Sequence, residues 1–265
     1  MPSDQTPVDM IEHAMQALAH ADPDIARAYP LVGAPSPRQR DPGFATFFST
    51  IVSQQISTEA ARAIMGRVNT LLPELHAKAV MEVEGQALRD AGLSWRKIEY
   101  AKGLAEAELA GTFSADGLAH LSDDEAIAAI TQLRGFGRWS AEIYLMFSLK
   151  RPDIFPADDL ALRVALGRLK GMEDKPTPKQ ARQLVEPWTP WRSVGSLFLS
   201  NIAKNLVLLV RGWIARGARA PLVRPRLLLN ILLDHAQGGA SDTSRKVAWT
   251  PQRVLPVGGL HQFRV

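Results

Sequence analysis

Apolar residues recur three and four positions apart along most of this chain. No stretch of five or more residues alternates apolar with polar in the manner of a half-buried strand. Phe44, Phe47, Phe48, Ile51 and Val52 fall at i, i+3, i+4, i+7 and i+8 and paint one face of a helix, which Ala60, Ala63 and Ile64 are expected to extend. Helix starts are marked as clearly. Ser122-Asp123-Asp124-Glu125 and Thr177-Pro178-Lys179-Gln180 each hold the reciprocal pair of a capping box, the second with proline at the first helical position. Ser94 can cap a helix running through Trp95, Ile98, Ala101 and Leu104. A helix over 8–21 is expected to reach the next through a loop from Pro30 to Pro42, which carries four prolines. The expectation is an all-α protein of about ten helices.

Composition narrows the chemistry. The chain of 265 residues, 46% hydrophobic and 22% charged, has length for one large or two small domains with a real core. It contains no cysteine, which excludes disulfides, thiolate nucleophiles, cysteine-bound zinc and iron–sulfur clusters. The first residues lack the basic flank and apolar run of a secretion signal, and no apolar run is longer than the five residues of Leu206–Val210, far short of the roughly 20 residues that span a bilayer. The six histidines show no metal-type spacing. An intracellular protein is therefore expected, cytoplasmic or nucleoid-associated, with no membrane partner. Charge is uneven: residues 1–186 hold 20 Lys and Arg against 25 Asp and Glu, whereas residues 187–265 hold 11 against 2. A basic C-terminal third suits a polyanion and equally suits a solvated tail. Residues 237–265 are expected to be disordered, and 205–236 show no settled pattern.

Leu133-Arg134-Gly135-Phe136-Gly137-Arg138-Trp139-Ser140-Ala141 joins helices expected over 122–133 and 138–149. Two glycines around one apolar residue allow a sharp turn and a close approach by a ligand. The second helix aims its unpaired N–H groups at that turn, a backbone phosphate site flanked by Arg134 and Arg138. A plain glycine-capped connection explains the same residues. It is not a dinucleotide fingerprint, since a helix rather than a strand precedes the glycines and no third glycine follows. Further on, Asp158 and Asp159 stand where an apolar-periodic helix begins after Pro156. One can cap and the other favour the helix dipole, so their position alone demands no chemistry.

The hairpin, followed after about twenty residues by Arg151-Pro-Asp-Ile-Phe-Pro-Ala-Asp158-Asp159-Leu, resembles the helix-hairpin-helix DNA glycosylase superfamily. Ile51-Val-Ser-Gln54-Gln55-Ile56-Ser57, Gly92-Leu-Ser-Trp to Leu104, and Pro187-Trp-Thr-Pro-Trp191-Arg192-Ser193 are similar, in order and spacing, to its DNA-3-methyladenine glycosylase II branch. The likeness spans about residues 40–200. It implies excision of alkylated purines from damaged double-stranded DNA in base excision repair, with Asp159 catalytic and Asp158 supporting or capping. It further implies Gln54, Gln55 and Ile56 as the wedge that fills the gap left by a flipped base, with Gln55 the plug. Trp139 and Tyr144 become pocket walls, and Arg134, Gly135, Gly137, Arg138, Ser140 and Arg192 contact phosphate.

Strand-cleaving relatives carry a Schiff-base lysine where this chain has Trp139, so a purely hydrolytic enzyme is expected, working without a cofactor or catalytic metal. The hairpin carbonyls of Leu133 and Gly135 are implied ligands of a monovalent cation. Two aromatic positions of the family pocket are Ile143 and Ser200 here. The expected layout is two helical lobes beside a cleft. Residues 44–150 form a helical barrel with wedge and hairpin, 1–43 pack with 151–204, and 205–265 form a basic tail; the chain acts as a monomer. The alternatives are a related glycosylase for deaminated bases and a non-catalytic binder of damaged DNA.

Overall fold

The computed structural model describes residues 6–215, with side chains through residue 203. Twelve α-helices and two short 3-10 helices, Gly117–His120 and Glu186–Trp188, make up the ordered elements among the described residues, and no strand occurs there. In chain order they are α1 (Pro7–Ala21), α2 (Pro23–Val32), α3 (Phe44–Ser53), α4 (Thr58–Leu71), α5 (Ala77–Glu82), α6 (Gly85–Asp90), α7 (Trp95–Leu109), α8 (Asp123–Thr131), α9 (Arg138–Phe147), α10 (Leu160–Leu169), α11 (Pro178–Leu184) and α12 (Arg192–Ala215). The capping signals act as the sequence predicts. Both bonds of each box form at Ser122–Glu125 and Thr177–Gln180, and Ser94 accepts from the backbone of Lys97.

The helices bury two separate hydrophobic clusters. The first gathers Phe47, Phe48, Ile51, Leu88, Leu104, Ile130, Leu145 and others from α3 to Ile154, with Leu197 of α12 added. The second joins Ile11, Met15 and Leu18 of α1 and Ile25 of α2 to Phe155, Leu162, Leu166, Trp188 and Phe198. Neighbouring residues Ile154 and Phe155 lie in different clusters, so the chain passes from one core to the other just before Asp159. That crossing is fastened down. The Ser193 hydroxyl donates to the Arg151 carbonyl (2.6 Å) and accepts from the Ile154 N–H (3.0 Å), and Arg192 grips Asp153 through two parallel bonds of 2.7 and 2.8 Å.

Three local expectations change. The helix beginning at Phe44 stops at Ser53, because Gln55 takes a left-handed φ of 59° and Ser57 starts α4 by capping the Ala60 N–H. The segment read as loop from Pro30 begins only at Gly33 (φ 75°). Asp22 caps an additional helix, α2, and Pro30 sits within its last turn, where it has no N–H to donate to the turn before it and the helix ends soon after. At the other end α12 runs across residue 204 to Ala215, and the expectations for residues 216–265 lie outside the described residues. No described helix is long and apolar enough to cross a membrane.

Candidate active site

The turn between α8 and α9 uses its two glycines differently. Gly135 has φ 90°, and a Cβ there would stand 2.5 Å from the Tyr100 ring, so the fold itself requires glycine. Gly137 is extended (φ −105°, ψ 177°), caps α9 without a side-chain bond, and has nothing within 4 Å of its missing Cβ. Space is left open beside the unpaired N–H groups of the α9 N-terminus, as an approaching anion needs. Between the glycines Phe136 turns inward and meets Phe47 edge to face at 5.4 Å.

Asp159 caps α10, its Oδ1 accepting from the Leu162 N–H at 3.0 Å. The capping role allowed to Asp158 thus falls to its neighbour, and exposed Asp158 instead faces Arg182 at 3.5 Å. The other Asp159 oxygen, Oδ2, accepts from the indole Nε1 of Trp139 at 3.1 Å. This bond joins the second residue of α9 to the first cap of α10 across the seam between the two cores. Trp139 is no core residue, since 44% of its surface is exposed. No basic side chain pairs with Asp159 among the described residues, and each carboxylate oxygen keeps a lone pair beyond its single bond.

A cleft of about 860 Å³ opens over this pair. Gln54, Gln55, Gly135, Trp139, Ser140, Ile143, Tyr144, Asp159 and Ser200 all line it, so wedge, hairpin, carboxylate and the two altered aromatic positions share one cavity. Gln55 and Ile56 are exposed, whereas Gln54 reaches back to donate from Nε2 to the Gly135 carbonyl at 2.8 Å. Gln54 therefore ties the wedge turn to the hairpin rather than projecting from it. The second carbonyl implied as a cation ligand, that of Leu133, accepts from the Phe136 N–H at 3.1 Å. Both oxygens retain a lone pair, a hard donor suited to a monovalent cation.

Other expected residues are placed differently. Tyr144 is buried, stacked on Phe47 with ring centroids 4.2 Å apart, and its hydroxyl accepts from the Gly43 N–H at 2.9 Å. Tyr144 nevertheless lines the cleft, its hydroxyl pins the loop, and burial pushes its phenol above the ordinary value. Arg192 is not among the residues lining the cleft, and its guanidinium pairs with Asp153 at the chain crossing. Arg134 lies on the surface paired with Glu99, and Arg138 donates from Nε to Glu142 at 2.9 Å.

Four cations that sequence reasoning passed over line the same cleft: Arg38 and Arg40 from the loop after α2, and Arg96 and Lys97 from the start of α7. Arg40 is anchored through its N–H to the Phe147 carbonyl (3.0 Å), and Lys97 donates to the Val52 carbonyl (2.7 Å), its amine held below the ordinary value by burial. A signal for this wall existed. Thr46, Ser49, Thr50 and Ser53 repeat at helical spacing and form the polar face of α3 that borders the cavity.

Several known proteins resemble this chain in sequence and fold. The family described as the HhH-GPD superfamily of base excision DNA repair proteins matches residues 48–190. DNA-3-methyladenine glycosylase 1 of Schizosaccharomyces pombe is 30% identical over 198 residues, covering 71% of this chain and 85% of that protein. DNA-3-methyladenine glycosylase 2 of Escherichia coli is 28% identical over 183 residues, 63% of this chain and 62% of its own length. The crystal structure of a Bacillus halodurans DNA-3-methyladenine glycosidase superposes with a TM-score of 0.68 at 28% identity, over 74% of this chain and 91% of the other. The S. pombe enzyme in complex with abasic DNA gives 0.61 at 29% identity, over 71% and 94%. A helical fold, a GxG hairpin and an aspartate twenty residues beyond Trp139 within one cleft meet a family match over more than half the sequence: the chain belongs to the HhH-GPD superfamily of base excision DNA repair proteins.

Proposed function

We propose that this protein is a DNA glycosylase of the 3-methyladenine type, which extrudes an alkylated purine from duplex DNA and hydrolyses its N-glycosidic bond without cutting the strand. The observation that carries the reading is the Asp159 carboxylate, free of any cationic partner among the described residues, in the same cleft as Gly135 and Phe136 of the hairpin and bonded to exposed Trp139. The hairpin amides and Arg138 hold phosphate, while Gln55 and Ile56 enter the space vacated by the extruded nucleotide. The alkylated base stacks on Trp139, whose π face attracts a cationic ring.

As the bond between sugar and base breaks, its electron pair goes to the purine nitrogen, neutralising the base's positive charge. Positive charge then develops on the deoxyribose, and the Asp159 carboxylate stabilises it. Water adds to the sugar carbon and loses a proton to Asp159 or to solvent, leaving an abasic site. Trp139 has no amine, so no imine with the sugar forms and the strand stays intact. Agreement with relatives named DNA-3-methyladenine glycosylase supports the substrate class, and the protein is taken to work as a monomer on DNA inside the cell.

The test uses a duplex methylated on its purines, with released bases separated by chromatography and the strand analysed before and after alkali. Release of 3-methyladenine, with nicks appearing only after alkali, is the expected result. A duplex that keeps all its methylated purines would overturn the assignment, and nicks without alkali would overturn its purely hydrolytic part.

A further inference from the structure

Glu142, one turn beyond Arg138 on α9, is 3% exposed, yet its Oε2 has no hydrogen-bond partner. An unpaired carboxylate oxygen in a core is costly, so what its other oxygen holds becomes the question. Oε1 accepts from Arg138 Nε at 2.9 Å and lies 3.9 Å from Arg182 Nη2 of α11. Arg182 in turn reaches Asp158 at 3.5 Å. The charges alternate along Arg138, Glu142, Arg182 and Asp158, and the chain's two ends are covalent neighbours of Trp139 and Asp159, which bond to each other at 3.1 Å. The result is a closed ring across the seam. Ala141 and Tyr144 root its α9 side in one core, and Leu162 and Ala181 root the other side in the second. Burial holds the Glu142 carboxyl above its ordinary value despite the attraction of Arg138 and Arg182.

We infer that Glu142 is a positioning residue that couples the grip on DNA phosphate to the placement of the catalytic carboxylate. By engaging Arg138 at Nε it fixes the guanidinium plane and leaves both Nη nitrogens, unpartnered among the described residues, to fork onto phosphate beside the hairpin. Through Arg182 it holds Asp158, and so sets the backbone from which Asp159 projects. The inference rests on the glycosylase reading above, which supplies the phosphate and the reacting sugar.

Glu142→Gln keeps the shape and, by removing the charge, weakens the charge-assisted bond that orients Arg138 and gives up the attraction on Arg182. Two quantities are measured: the salt dependence of affinity for a duplex containing a tetrahydrofuran abasic-site analogue, and the single-turnover release of 3-methyladenine. The expected outcome is a slope of log affinity against log salt reduced by about one, the signature of one lost phosphate contact, with release slowed about tenfold. Combined with Arg138→Ala, the substitution should leave the slope of the Arg138→Ala single variant unchanged, because the effect passes through that side chain. Arg182→Gln, at a half-exposed position, should slow release while keeping the wild-type slope, and it reads the second arm even where Glu142→Gln fails to fold. A wild-type slope in folded Glu142→Gln, or wild-type release in Arg182→Gln, overturns the inference. Wild-type protein that releases no methylated purine overturns the glycosylase reading instead, and the slope still judges Glu142.

Discussion

Two aspartates in this molecule are built alike and serve different ends. Asp22 caps α2 and accepts from the Trp188 indole at 2.6 Å; Asp159 caps α10 and accepts from the Trp139 indole at 3.1 Å. The surroundings separate them. Asp22 is 3% exposed and meets Lys170 Nζ at 2.6 Å, and Trp188 is fully buried in the second core. Asp159 lies at the cleft, its tryptophan is exposed, and no cation faces it among the described residues. A helix cap plus an indole donor fixes a carboxylate's direction in both places. Neutralisation and burial turn the first into a strut, whereas their absence leaves the second a directed negative charge, the feature on which the proposed reaction relies.

The sharpest way to test that contrast is Asp159→Asn. Asparagine caps about as well as aspartate, so melting temperature should hardly move while base release falls about 10²–10³-fold; equal release by both proteins in a single-turnover assay would erase the distinction. Asp22→Ala should do the reverse. It removes a cap and the partner of the buried Trp188 indole and leaves Lys170 with Asp24 alone, at 3.1 Å, lowering stability by about 2–4 kcal/mol in denaturant titration, with release per folded molecule unchanged at low temperature. The tryptophans give a smaller, paired version. Trp188→Phe should cost about 1–3 kcal/mol of stability by leaving Asp22 short of a donor, while Trp139→Phe should leave stability alone and slow release about tenfold.

The smallest effect is one of pH. Burial pushes the Asp22 carboxyl up, but bonds from Lys170 and Trp188 and the lysine charge outweigh it and leave it below its ordinary 3.8. A lowered value means stability is present above 3.8 and lost as pH falls through the folded value. Thermal melts from pH 5 downward should therefore show a loss that Asp22→Ala lacks; parallel curves for the two proteins would contradict the assignment.

Local rules carried far in this chain because most of its helices announce their own starts. Ser94, Ser122 and Thr177 satisfy specific backbone donors whatever lies around them, so those boundaries were legible. Asp159 was legible as a helix start for the same reason, and only the family resemblance pointed to chemistry there. What depends on distant neighbours was not legible. The partners of Arg192, Gln54 and Tyr144 are Asp153, Gly135 and Gly43, separated from them by 39, 81 and 101 positions. Nothing in the local spacing around an arginine reveals that a buried-edge aspartate will occupy it. The break at Gln54–Ser57 was missed because apolar periodicity continues across it, and it is the structure that shows Ser57 capping α4.

The two hairpin glycines look interchangeable as letters, and the space around them makes them opposites. Gly135 answers to Tyr100, a demand of the architecture; Gly137 answers to nothing inside the protein. A serine at 137 would even be a better helix cap than the glycine it replaces. A selection for thermal robustness alone would therefore drift toward filling that vacancy, at the expense of the phosphate seat proposed for it, while position 135 would never change.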